Sequence, residues 1–120
     1  MQIKEYVKQS KRTCADLNNS QEDNFHMILG MLTEVGKLAD VFKKNLAYKK
    51  EIDWNNVGEE IGDLMWYVAN FCRMNNFNLE TILDVNIKKL QSRYPKKFTE
   101  EKAKIRNLEE ENKILKEISH

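Results

Sequence analysis

One proline and four glycines in 120 residues leave this chain few places to turn. No segment alternates apolar and polar residues in the manner of a strand. Two cysteines are too few for a disulfide framework; Cys14 and Cys72 each fall inside a helical pattern and read as small buried hydrophobes. No apolar run approaches the roughly 20 residues that cross a bilayer. The opening residues, Met1 to Glu5, do not make a signal peptide. Excess charge is also missing: 20 basic and 19 acidic residues give a formal net charge of +1. That balance argues against electrostatic binding to a nucleic-acid polymer or an anionic membrane. Ser-His-Asp order, a glycine-rich phosphate loop and Cys-x-x-Cys are all absent. These absences leave the expectation of a soluble, cytoplasmic, all-α protein.

What is present is helical periodicity. A first helix is predicted over 3–17, with Ile3, Tyr6, Val7, Cys14 and Leu17 on one stripe. Residues 18–20 form a loop, and Ser20 with Asp23 has the spacing of a capping box. The second helix, over 21–46, has a core stripe of Phe25, Ile28, Leu29, Leu32, Ala39 and Phe42. Met27, Met31, Val35, Leu38 and Val41 widen it well beyond one face. A helix apolar over so much of its circumference is expected to be buried on two sides, in a bundle interior or between a bundle and a second subunit. Asp53 is placed to cap a third helix over 54–75 and Asn78 a fourth over 79–94, which Pro95 ends. A final helix over 99–118 carries a short seam of Ile105, Leu108, Asn112 and Leu115, to be docked on the core or on a partner subunit. The organisation expected is a helical core over 1–98 and a charged C-terminal helix over 99–120.

Chemistry concentrates at Glu60 and Asp63. Residues three apart on a helix face the same way, with Cβ atoms roughly 5–6 Å apart. Two like charges that close are unfavourable unless a cation lies between them or one is protonated. Their neighbours Ile61, Leu64 and Met65 are apolar, and so are Met31, Leu38 and Val41 around Glu34, which offers a third carboxylate. A hard divalent cation held by oxygen is one answer to such a group; salt bridges to lysine are the other. Asn86, Lys89 and Arg93 share one face of the fourth helix and suit phosphate oxygens, or else form a solvated face. Trp54, at a helix start, is placed to flank a pocket and stack on a base.

Together these residues resemble the MazG-like branch of the all-α nucleoside triphosphate pyrophosphohydrolases. The likeness covers 30–103, through the stretch from Gly30 to Lys44, the stretch from Trp54 to Tyr67, and the stretch from Asn86 to Lys102. The family pattern is Glu-x-x-Glu, a spacer, Glu-x-x-Asp, and a later helix with Asn-x-x-Lys-Leu. The resemblance implies a four-helix MazG-like bundle, here with an additional C-terminal helix, assembled as a homodimer or homotetramer. It also implies Mg²⁺ and hydrolysis of a (deoxy)nucleoside triphosphate to monophosphate and pyrophosphate. On this mapping Glu34, Glu60 and Asp63 are the catalytic metal ligands. Lys89 and Arg93 hold phosphate, and Asn86 contacts phosphate or sugar.

One position departs from the pattern. Lys37 stands where the family has the second glutamate of the first pair. Three carboxylates and an ammonium give the site a formal charge of −2 in place of −4. Lys37 is one turn from Glu34, so its ammonium is expected to stand where a metal would otherwise sit, or to grip phosphate. Three functions follow: hydrolysis with a reduced metal complement, nucleotide binding and sequestration without turnover, or a purely structural partner-binding bundle.

Overall fold

The computed structural model describes residues 1–17, 19–94, 99–101 and 107–118. Among these there are five helices of eight residues or more and no strand: α1 (Ile3–Lys11), α2 (Ser20–Tyr48), α3 (Trp54–Met74), α4 (Leu79–Arg93) and α5 (Leu108–Leu115). The fold is all-α, as the sequence predicts. The chain divides into two compact units, Met1–Asn75 and Asn76–His120.

In the first unit α2 and α3 make the most extensive helix contact, and α1 packs on α3. The packed face of α2 is Met27, Gly30 and Glu34, all buried, flanked by the half-buried Met31, Leu38 and Val41. This corrects the core stripe read from the sequence. Phe25, Ile28, Leu29, Leu32, Val35 and Phe42 are exposed, from 43 to 68 %. The physical reason is close approach. A Cβ on Gly30 would overlap the Tyr67 ring of α3, so only glycine lets the helices meet there. The more apolar stripe is therefore left bare. At the far ends of the two helices Asn24 and Asn75 exchange amide hydrogen bonds of 3.1 and 2.7 Å.

Two starts of helices match the expectation. Asp53 accepts from the amides of Asn55 and Asn56, and Asn78 from that of Thr81. The start of α2 does not. Asn19, not Ser20, caps it, accepting from Gln21 and Glu22, while Asp23 takes the amide of Leu17 instead of closing a capping box. α1 also stops at Lys11, short of Leu17; the Thr13 hydroxyl donates to the Ser10 carbonyl, a local bond that competes with helix continuation. α1 is held to α3 by polar contacts. The Trp66 indole donates to Thr13 at 2.9 Å, and the buried Asn70 amide donates to the Ser10 carbonyl at 3.4 Å. Cys72 is buried, Cys14 half-buried, and both are free.

The second unit packs α4 against α5. The helix expected to run unbroken over 99–118 is interrupted: Asn107 lies outside regular structure and caps α5, accepting from Glu110. Leu108, Asn112 and Leu115 of the expected seam are exposed; Ile105 and Pro95 lie outside the described residues. The inward position of α5 is Glu111, 1 % exposed, which accepts from Arg93 Nε at 2.8 Å. Lys88 and Glu117 add an exposed pair at 2.9 Å. Among the described residues no helix is long and apolar enough to cross a membrane.

Candidate active site

The packing of α2 on α3 brings Glu34 to Glu60 and Asp63. One oxygen from each lies within 4.8 Å of the other two. Glu34 is 4 % exposed and Glu60 8 %, while Asp63 is open to solvent. Lys37, one turn beyond Glu34, places its Nζ 3.2 Å from Glu34 Oε1, and half of its side chain stays exposed. Glu34 Oε2 and Glu60 Oε2 are buried and, among the described residues, take no hydrogen bond from any group outside this pair of carboxyls.

Such a pair cannot keep two full charges at ordinary cost. Without a metal, one shared proton relieves it. The hydrogen bond with Glu60, helped by the Lys37 ammonium and opposed by burial, holds the Glu34 carboxyl below its usual value. The same hydrogen bond, with burial and the charge of Glu34, pushes Glu60 up. The Lys37 ammonium is held protonated above its usual value by its hydrogen bond to Glu34 and by that residue's charge.

These residues fit a divalent cation. Oxygens on one octahedral Mg²⁺ lie about 3–4 Å apart, given Mg–O distances near 2.0–2.1 Å. The observed cluster is close to that span. Its two orphaned oxygens are hard donors of the type that Mg²⁺ takes, and Glu34, Glu60 and Asp63 would hold the ion. Lys37 occupies only the Oε1 side of Glu34, so it blocks neither orphaned oxygen by hydrogen bonding. Nor does either nearby acid replace the missing glutamate. Asp40 is paired with Lys44 at 2.8 Å and Lys43 at 3.9 Å, and Glu59 is exposed.

The other expected residues have different settings. Asn86 is exposed and Lys89 half-buried on α4, within the second unit. Arg93, expected on phosphate, is committed to Glu111, with its guanidinium 5.7 Å from the centre of the Tyr94 ring. Trp54 is exposed at the first position of α3 and stands edge-on to Phe42, ring centres 6.1 Å apart. His26 stands edge-on to Tyr67, ring centres 6.1 Å apart.

Helical periodicity does not point to one further feature. A cavity of about 350 Å³ has Glu60 and Lys37 in its lining and continues along α2 to Lys44 and Lys50. Its trace in the sequence is the doubled lysines Lys43-Lys44 and Lys49-Lys50 about the end of α2.

The MazG nucleotide pyrophosphohydrolase domain family matches residues 23–98. The "Gene 37 protein" of Mycobacterium phage L5 is 33 % identical over 79 residues, which cover 62 % of this chain and 69 % of the phage protein. No solved structure matches. With its paired acids brought together between α2 and α3 and the family match running over well more than half its length, the chain belongs to the MazG nucleotide pyrophosphohydrolase family.

Proposed function

We propose that this chain is a Mg²⁺-dependent hydrolase of (deoxy)nucleoside triphosphates that releases monophosphate and pyrophosphate in the cytoplasm. The observation that carries this reading is the pair of buried carboxyls, Glu34 and Glu60, whose Oε2 atoms take no hydrogen bond from any other described residue and which lie beside Asp63. In the reaction a water oxygen bonds to the α-phosphorus and the bond to the bridging oxygen breaks. The bridging oxygen leaves on pyrophosphate. Mg²⁺, when bound, supplies charge neutralisation for the phosphate oxygens and activation of the water.

The residues of the chain set the conditions for that step. Glu34 and Glu60, fixed on opposing helices, supply oxygens that need no reorientation. Asp63 gives the cluster an open side through which substrate and water enter. Lys37 offsets one of the three negative charges and offers its exposed ammonium to a phosphate oxygen. Asn86 and Lys89 are assigned to phosphate and sugar on the family pattern, and Trp54 to the base. The bare stripe of α2, from Phe25 to Phe42, supports assembly into a homodimer or homotetramer. An exposed apolar face of that length on a soluble chain is a partner surface by the usual behaviour of such patches.

A second reading, nucleotide sequestration without turnover, is favoured by the Lys37–Glu34 contact at 3.2 Å, which holds an ammonium inside the acidic group. One experiment separates the two. The purified protein is incubated with a panel of dNTPs and NTPs, with and without Mg²⁺, and the products are resolved by chromatography. Monophosphate and pyrophosphate formed only with Mg²⁺ support hydrolysis. Nucleotide returned intact, together with a nucleotide-dependent rise in melting temperature, supports sequestration.

A further inference from the structure

The cavity beside Glu60 has a lining unlike that of a nucleobase pocket. Among the described residues no aromatic lines it, and Val41 is the one apolar residue that does. Its volume of about 350 Å³ lies at the small end of ligand pockets, which run from about 300 to 1,000 Å³. Three lysines border it: Lys37 at the carboxylate cluster, then Lys44 and Lys50. Two of its acids are already committed. Asp53 caps α3, and Asp40 is paired with Lys44 and Lys43. Glu60, which also lines the cavity, is more than nine-tenths buried, and its Oε2 takes no hydrogen bond from any described residue other than Glu34.

Lys50 is also placed firmly. α2 ends on Lys49 in the left-handed conformation, φ 57°; the Lys49 amide donates to the Asn45 carbonyl at 3.0 Å and the Lys50 amide to the Lys44 carbonyl at 3.4 Å. The Asn45 side chain then donates to the Lys50 carbonyl at 2.9 Å. The backbone of Lys50 is thereby fixed at the cavity wall, and its ammonium has no ion-pair partner among the described residues.

We propose that this cavity binds the pyrophosphate end of the substrate, with Lys44 and Lys50 as its phosphate-holding residues. The inference rests on the hydrolase reading and adds a direction to it. The bond to be broken lies at the carboxylates, and the two departing phosphates extend toward Lys50. The lining carries four acids, Asp40, Glu51, Asp53 and Glu60, against three lysines, so the anion enters only together with the divalent cation that offsets Glu60. Mg²⁺-pyrophosphate, not free pyrophosphate, is the species held.

Calorimetric titration tests this without turnover. Wild type, Lys50→Gln and Lys44→Gln are titrated first with Mg²⁺ and then, in saturating Mg²⁺, with pyrophosphate and separately with a nucleoside monophosphate. Pyrophosphate is expected to bind wild type only with Mg²⁺. Each variant is expected to weaken it about tenfold, the worth of one charge-assisted hydrogen bond, with Mg²⁺ and monophosphate affinities unchanged. Pyrophosphate affinity indifferent to both lysines overturns the proposal, as does an equal loss for the two products or absence of Mg²⁺-dependent binding to wild type. The hydrolase reading fails separately: a protein that holds pyrophosphate through Lys50 yet returns every triphosphate intact keeps the pocket and loses the enzyme.

Discussion

Buried glutamates occur in both units, and they are buried in opposite ways. In the second unit Glu111 is 1 % exposed and accepts from Arg93 Nε at 2.8 Å across α4 and α5. In the first, Glu34 and Glu60 face each other across α2 and α3, and each keeps an oxygen that takes no hydrogen bond from any other described residue. A buried acid met by a guanidinium holds helices together; two buried acids that meet each other, with one lysine at their edge, are held in place by their helices.

The widest separation between the two cases is expected from Glu60→Gln. Hydrolysis and Mg²⁺ binding are lost, while the melting temperature in the absence of metal stays level or rises, because a like-charge contact is removed. Activity and calorimetric titration beside thermal unfolding check both halves; unfolding of the variant would make Glu60 a structural residue and erase the contrast. Glu111→Gln is expected to do the reverse. Leaving Arg93 without its counter-charge is expected to lower stability, read by urea unfolding. Unchanged stability would show that the α4–α5 pair carries no load.

Gly30→Ala sharpens the comparison from the backbone. The new methyl meets the Tyr67 ring, α2 and α3 are forced apart, and stability falls by about 1–3 kcal/mol. Mg²⁺ affinity is expected to fall with it, since the same contact sets the distance from Glu34 to Glu60. Lys37→Glu restores a fourth carboxylate. Mg²⁺ binding is expected to tighten several-fold and turnover to rise, with a lower melting temperature in the absence of metal; a fall in both affinity and turnover would show that Lys37 assists the site. The smallest change is Lys49→Gly. Relief of the left-handed backbone at the end of α2 is expected to stabilise the chain by about 0.5–1 kcal/mol, measured by thermal unfolding, without moving Mg²⁺ affinity.

Much of this was legible in the amino-acid order. Asp53 and Asn78 announce their helices because a side-chain oxygen at that position answers amides that nothing else in the helix can reach. Glu60 and Asp63 announce a cluster because helical spacing alone puts them on one face. The register of α2 was harder to read. Its more hydrophobic stripe looks like the core, yet the helix packs through a face interrupted by Gly30 and Glu34. Hydrophobicity counts favour the wrong side, because a glycine that permits close approach adds nothing to the count and a carboxylate subtracts from it. The demand that Glu34 meet Glu60 would have chosen the correct side. The cavity toward Lys50 depends on how the chain leaves α2 through a left-handed residue, and residue spacing on a helix carries no information about that turn.

Lys37 has one more consequence. A cation carried on a side chain is set by the gene and not by the medium. A chelator that strips every free ion leaves it in place beside Glu34. Without a metal the three acids therefore never meet their full mutual repulsion, and the helices that carry them can stay assembled.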